Sequence, residues 1–409
     1  MAAPADTSPQ NVQAACCIAG GGPAGMMLGF LLARAGVETV ILEKHADFLR
    51  DFRGDTIHPS TLEIMYELGI LDKFLSRPHQ EVQHLDGQVG DNYLTIADFT
   101  HLPTHCKFLA LMPQWDFLDF IVQESKRYPA FHLRMQAEVT GLIEERGRVT
   151  GVRVTTPQGP LEVRADLIVA ADGRGSVVRK QAGLEVIDLG APMDVLWMRL
   201  SKRPDDPSQI LGRVDPGHIL VLLDRGNYWQ CAFVIPKGAF SEVQKKGLDS
   251  FRADLAGLAP YLGNRVHELK DWNDIKLLTV AVDRLRQWYK PGLLAIGDAA
   301  HAMSPVGGVG INLAIQDAVA AANILSAPLR GKSLTLSHLR AVQRRREFPT
   351  RVTQRIQIFI QTRVIGRVLV SRNAKLSLPL PLKLLRRYPF LRRLPARVVG
   401  VGIRPEHVR

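Results

Sequence analysis

At 409 residues, 46% of them hydrophobic, the chain is long enough for two domains with substantial cores. Its four cysteines (Cys16, Cys17, Cys106, Cys231) are irregularly spaced and fit neither a disulfide framework nor a zinc site, which points to a reducing, cytoplasmic setting. Of 52 Lys and Arg, 20 lie in residues 330–409, where Glu347 and Glu406 are the only two of the 40 acids; that segment carries +18 and the other 329 residues −6. A mildly acidic body thus carries a basic tail, and no nucleic-acid-binding module accompanies the charge.

In chain order, residues 1–12 are polar with a proline and predict a disordered tail. Residues 14–19 form a short apolar run that reads as a buried parallel strand. It breaks into Gly20-Gly21-Gly22-Pro23-Ala24-Gly25, residues 26–35 carry helical apolar spacing, and Gly36 closes that helix. Residues 39–42 read as a second strand ending on Glu43. This is the order of a βαβ dinucleotide unit. Gly20 permits the tight turn, Gly22 lets backbone N–H groups approach a pyrophosphate at the helix N-terminus, and Gly25 lets the helix lie close on the strand. Glu43 can accept from a ribose. The stretch could pass for a signal peptide, but no Lys or Arg precedes it and glycines interrupt it. The unit alone does not choose between NAD and FAD.

Residues 53–70 predict a loop and a helix, 91–111 strands, and 114–124 another helix. Strands follow around 131–135, 137–145, 149–156 and 161–163. The run 167–171 is again a buried strand, ending on Asp172-Gly173. Residues 190–283 change character, with alternating or aromatic strands at 195–200, 218–223, 228–235 and 276–282 and one helical interval at 240–258. That pattern suits an antiparallel sheet inserted as a second domain. Nucleotide-domain character returns at Leu293. The basic tail interleaves its charge with apolar stretches at 356–370, 376–385 and 388–394, none an uninterrupted run long enough to span a bilayer. It reads either as a helical cap on the body or as an interfacial element for an anionic surface such as a membrane leaflet.

Three separated motifs now coincide, and on them the chain resembles the single-component flavoprotein monooxygenases of the p-hydroxybenzoate hydroxylase type, FAD-dependent aromatic hydroxylases. The first is the Gly20–Gly25 turn with Glu43. The second is Asp172-Gly173 followed by Ser176 and Arg179, and the third is Gly297-Asp298 followed by Ala299-Ala300-His301 and Pro305. Arg53 matches an arginine of that family. The resemblance covers about residues 14–330 and leaves the tail out. Pattern and resemblance together imply an α/β chain whose Rossmann-like FAD-binding domain comes in three pieces (13–75, 105–185, 284–330). An antiparallel-sheet substrate domain (76–104, 186–283) is inserted in it, and a basic helical segment (331–409) follows.

The resemblance also implies roles. Gly20, Gly22, Pro23, Ala24 and Gly25 would cradle the pyrophosphate of FAD. Glu43, with Lys44 beside it, would hold the adenosine ribose, and Val139 would offer backbone atoms to the adenine. Arg53 and Gln114 would lie along the pyrophosphate and ribityl chain, Asp172 near the pyrophosphate, and Asp298 on a ribityl hydroxyl. Pro305 would line the cofactor site, and the turn Gly307-Gly308-Val309-Gly310-Ile311-Asn312, opening a helix from Leu313, would bring backbone donors to the pyrimidine edge of the flavin, where reduction places negative charge. In this family NAD(P)H reduces the flavin and O2 adds to give a flavin hydroperoxide, whose distal oxygen goes to an electron-rich substrate. Asp55, an acid where small apolar residues are common, would orient or deprotonate a substrate hydroxyl, with His58 holding it or acting in its place. Its plain alternative is a turn cap.

The inserted sheet should wall the substrate, with Trp197, Leu222, Trp229 and Phe233 as candidates, although such strand residues also serve as core. The missing Arg and Lys pattern on those strands favours a large apolar aromatic or polyketide-like molecule over a small carboxylate. Taken singly, Asp172-Gly173 and Gly297-Asp298 could be ordinary turns, Arg53 a surface arginine and His301 structural. No metal-ligand cluster stands out. Three competitors share the nucleotide domain. A flavin-dependent halogenase would carry W-x-W-x-I-P, where this chain has Cys231-Ala232-Phe233-Val234-Ile235-Pro236. A geranylgeranyl-type reductase would consume no O2, and a flavin-free scaffold would not need Glu43, Arg53, Asp172 and Asp298 together.

Overall fold

The computed structural model describes residues 10–49, 56–207, 211–370 and 378–409. Arg53 and Asp55 lie outside the described residues. The nucleotide unit forms the centre of an eight-stranded sheet. Its main path runs Tyr289–Lys290, Leu293–Ala295, Gly159–Ala170, Gln10–Ala19, Thr39–Leu42, Phe131–Arg134. Along this path every pairing after the first is parallel, with Cys17 opposite both Ile168 and Val40. Strands covered on both faces need apolar side chains on both, which is why these segments are continuous apolar runs. Arg148–Thr156 and Glu138–Glu145 extend the sheet as an antiparallel ribbon beside Gly159–Ala170. One boundary is corrected here. The first strand begins at Gln10, paired with Leu161, so residues 10–12 belong to the sheet and not to a disordered tail.

A second sheet has seven strands in the order Lys276–Leu278, Met193–Ser201, Tyr228–Pro236, His218–Asp224, Leu211–Asp215, His84–Val89, Asn92–Asp98. Its pairings are antiparallel except one: Leu211–Asp215 runs parallel to His84–Val89 and joins two distant stretches of chain. One face presents Leu196, Met198, Leu220, Leu222, Trp229, Cys231 and Phe233, sealed by Phe251, Leu255 and Leu258 of the helix Leu248–Leu258. The expected single helix over 240–258 is two, Phe240–Lys245 and Leu248–Leu258. They are broken at Gly247, whose φ of +90° no helix accommodates.

The helix Gly310–Arg330 is the central pillar, packed against the glycine-turn helix Pro23–Arg34 and the long helix Leu336–Ile360. Beyond the long helix, Leu380–Arg387 and Arg393–Gly400 lie on the strand Asn92–Asp98. Gly400 is pressed so closely there that a Cβ would stand 2.7 Å from Leu102 Cδ1. Residues 401–409 return to the nucleotide domain, where Val408 N–H donates to Glu67 Oε2 at 2.7 Å and Arg409 N–H to Asn323 Oδ1 at 3.1 Å.

Candidate functional site

The site begins at the glycine turn. Gly20 has φ +107°, and a Cβ there would sit 2.4 Å from Ala171 O; a Cβ on Gly25 would sit 2.0 Å from Gly20 O. Both positions admit only glycine. Among the described residues a Cβ at Gly22 would meet nothing within 4 Å, so they leave the space before the helix open. The helix Pro23–Arg34 has no side-chain cap and no acid in its first turn, leaving its first N–H groups and the positive end of its dipole facing that space. Such an end takes a phosphate. Glu43 follows the second strand, nearly buried. Its Oε2 accepts Gly21 N–H at 2.9 Å and its Oε1 accepts His45 N–H at 3.0 Å, which fixes the carboxylate at the rim.

Gly297, in the turn Gly297–Ala299, stands between two helices. A Cβ there would lie 3.0 Å from Ala24 Cβ and 3.2 Å from Ala314 Cβ. The Asp298 turn is thereby placed beside the starts of both the glycine-turn helix and the central helix. Asp298 Oδ2 accepts Arg174 Nε–H at 3.0 Å, and Arg174 Nη2 also donates to Met303 O at 3.2 Å. The central helix, too, has no side-chain cap and no acid in its first turn. It is entered through Pro305 and the turn Val306–Gly308, where Gly307 and Gly308 take φ +80° and +62°. A Cβ on Gly308 would meet Thr56 Oγ1 at 2.4 Å. Gly310 and Ile311 then begin the helix. Two open helix ends and one carboxylate thus converge at Gly297, and among the described residues Asp172 Oδ1 and Arg174 Nη1 are buried without a protein partner. The residues present fit FAD, a dianionic pyrophosphate with a polyhydroxyl chain and a ring that gains charge on reduction.

Several expected residues take other tasks. The Asp172 carboxyl turns to the helix Val177–Gln181, accepting Val178 N–H at 3.2 Å, and burial raises it above the usual carboxylate range against the pull of Ser176. Asn312 spends its side chain as a clamp. Its Oδ1 accepts His58 N–H at 2.8 Å and Thr61 Oγ1–H at 2.7 Å, and its Nδ2 donates to Thr56 O at 3.0 Å, so its side-chain amide is committed within the protein. Gln114 starts the helix Gln114–Ser125 and is half-buried; Val139 lies in Glu138–Glu145 opposite Val154; Lys44 is exposed.

His58 is corrected as a candidate base. It is fully buried, its Nδ1 donates to Val399 O at 2.7 Å, and burial pushes it down to about 4. It holds the C-terminal helix and stays neutral. Leu222, Trp229 and Phe233 are corrected as wall residues. All three point into the sealed face, and Trp229 Nε1–H donates to Asp206 Oδ2 at 2.8 Å. Side chains alternate along a strand, so the opposite face carries Met193, Val195 and Trp197, with Val221, Ala232 and Val234. That face meets Val306 of the flavin-side turn, and only Trp197 of the four candidates stands on it. Arg174 was not anticipated. Its place in the string Asp172-Gly173-Arg174 was the signal for it, but its partner Asp298 is 124 residues on.

A family described as FAD binding domain matches residues 13–356. The 6-methylpretetramide 4-monooxygenase of Streptomyces rimosus is 32% identical over 384 residues, 92% of this chain and 90% of that protein. Other relatives are longer: the chain spans 60% of the 12-dehydrotetracycline 5-monooxygenase/anhydrotetracycline 6-monooxygenase of Streptomyces rimosus subsp. rimosus, at 28% identity over 74% of its own length. Among solved structures, p-nitrophenol 4-monooxygenase PnpA from Pseudomonas putida DLL-E4 shares the fold with TM-score 0.72 at 20% identity, over 96% of this chain and all of that one. The digeranylgeranylglycerophospholipid reductase of Thermoplasma volcanium matches only 46% of the chain, at 29% identity. The chain belongs to the FAD-binding-domain family and is an FAD-dependent monooxygenase of the aromatic-hydroxylase type.

Proposed function

We propose that this monooxygenase hydroxylates a large apolar aromatic or polyketide-like substrate lying between the Trp197 face of the second sheet and the turn Val306–Gly308. The observation that carries the reading is the convergence at Gly297 of two open helix ends and Asp298 beside an apolar sheet face. FAD, reduced by NAD(P)H, supplies the redox chemistry with O2. The glycine-turn helix binds the pyrophosphate through its free N–H groups, with Arg53 and Gln114 alongside. Glu43 accepts from the adenosine ribose, Val139 backs the adenine, and Asp298 accepts from a ribityl hydroxyl. The N–H groups of Gly310 and Ile311 stabilise charge at the pyrimidine edge. Trp197, Val195 and Val221 exclude water from the reacting side. With His58 sealed and neutral, Asp55 is the remaining candidate to take a proton from a substrate hydroxyl.

A panel of polycyclic phenols screened for stimulated NAD(P)H oxidation and O2 uptake tests the reading. Product formation without O2 would replace it with a reductase. Asp55→Asn should keep NAD(P)H oxidation while hydroxylated product falls and hydrogen peroxide rises; unchanged product per NAD(P)H leaves Asp55 a turn residue. A finer reading concerns the tail. Leu380, Leu384, Phe390 and Leu394 are exposed among Lys383, Arg386, Arg387 and Arg393, a pattern that suits an anionic lipid surface. Co-sedimentation with anionic but not neutral vesicles, weakened by salt, is the expected result.

A further inference from the structure

One buried ionic cluster is not used by the chemistry above. Asp317 lies two turns into the central helix and is wholly buried. Its Oδ2 accepts Gly297 N–H at 3.1 Å and His301 Nε2–H at 2.5 Å, so the bonds reach the turn that carries Asp298 and a residue just beyond it. Its Oδ1 accepts Arg346 Nε–H at 2.9 Å from the long helix. Arg346, 1% exposed, passes the connection on, donating from Nη1 to Glu406 Oε1 at 3.3 Å and to Arg404 O at 3.4 Å. Arg345 Nε–H donates to the same Glu406 oxygen at 2.6 Å, and Gln316 Oε1, next to Asp317, accepts Glu406 N–H.

Two carboxylates and two guanidiniums thus stand together around a histidine. Buried ion pairs contribute little stability over an apolar filling, because desolvation offsets their attraction; what they fix well is geometry. Here the geometry fixed is a backbone N–H of the Asp298 turn and the side chain of His301 just beyond it. We propose that Glu406 is a positioning residue for the flavin. Through Arg346 and Asp317 it holds the Gly297–Ala299 turn so that Asp298 points at the ribityl chain. This rests on the placement of FAD against Asp298 given above. Removing the Glu406 charge leaves Arg346 with Asp317 as its only carboxylate among the described residues, and the guanidinium then draws Asp317 away from Gly297 and His301.

The test is FAD titration of the apoprotein, followed by flavin fluorescence, with melting of the same apoproteins measured in parallel. Glu406→Gln should weaken FAD about tenfold. Asp298→Ala should weaken it as well. The two together should cost less than the product of the single effects, because both act through one contact. A lowered apoprotein Tm with FAD affinity within twofold of unchanged would overturn the proposal and leave the cluster a structural anchor. If Asp298→Ala alone leaves affinity unchanged, it is the flavin placement that fails. If Asp298→Ala weakens FAD and Glu406→Gln does not, only the positioning role fails. Should Glu406→Gln not fold, Glu406→Asp keeps the charge and shortens the reach, and the same two readings apply.

Discussion

The two sheets hold their functional parts by different means. Around the parallel sheet the site is made of backbone: open helix ends, left-handed glycines and a turn wedged between Ala24 and Ala314. Around the antiparallel sheet it is made of side chains, and a single residue's parity decides between wall and core. Trp197 and Trp229 are both strand tryptophans, yet one stands on the face that meets the Val306 turn while the other is fully buried under Phe251 and Leu255. Backbone sites are strict about residue type; side-chain sites are strict about register.

That contrast can be broken at its strongest point first. Trp229→Ala empties a sealed position and removes one of the donors to Asp206, and should cost about 3–5 kcal/mol in urea unfolding while leaving substrate preference unchanged. A shift in preference without loss of stability would return Trp229 to the wall.

The seam between the sheets is sharpened by pH. His58 lies at about 4 when folded and near 6.5 when unfolded, so the unfolded chain takes up the proton first as pH falls. Its contribution is fully present above about pH 6.5 and is lost between there and about pH 4, a change on the order of 3 kcal/mol. His58→Asn keeps a donor toward Val399 O without a titrating ring, and its unfolding free energy should vary less between pH 7 and 4.5 than that of the parent. An equal slope in both proteins would assign the acid sensitivity elsewhere.

On the backbone side, Gly25→Ala drives a Cβ to within 2.0 Å of Gly20 O, which neither the strand nor the helix can yield cheaply. The strain should be about 1–3 kcal/mol, and the protein should purify colourless. A yellow protein with unchanged Tm would refute the strict turn. The smallest effect belongs to the wall. Trp197→Ala should raise substrate KM roughly tenfold, about 1.4 kcal/mol, with little change in FAD affinity or melting.

The same contrast separates what the sequence makes legible from what it hides. Gly20 and Gly25 were legible because no other residue fits a turn that close, and sequence order alone places the strand and helix around them. The alternation of residues 228–235 is legible too, but not which parity is sealed as core, since that depends on a helix packing from elsewhere. Asn312 reads in the sequence as the end of a turn before Leu313, whereas the helix already begins at Gly310. What its amide does depends on Thr61 and Thr56, 251 and 256 residues away. His58 read as a candidate base because nothing local shows that the helix Arg393–Gly400 covers it.

The one parallel pairing in the second sheet bears on how the molecule forms. Arg213 sits opposite Gln88, 125 residues earlier, so this edge pairing closes a long loop of chain. Long loop closure ahead of any reward is slow. Until it closes, the edge of Leu211–Asp215 is an open template for another chain. The substrate sheet therefore cannot be excised as residues 186–283 and expected to stay monomeric. In refolding from denaturant, its aromatic signals should recover after those of the nucleotide unit.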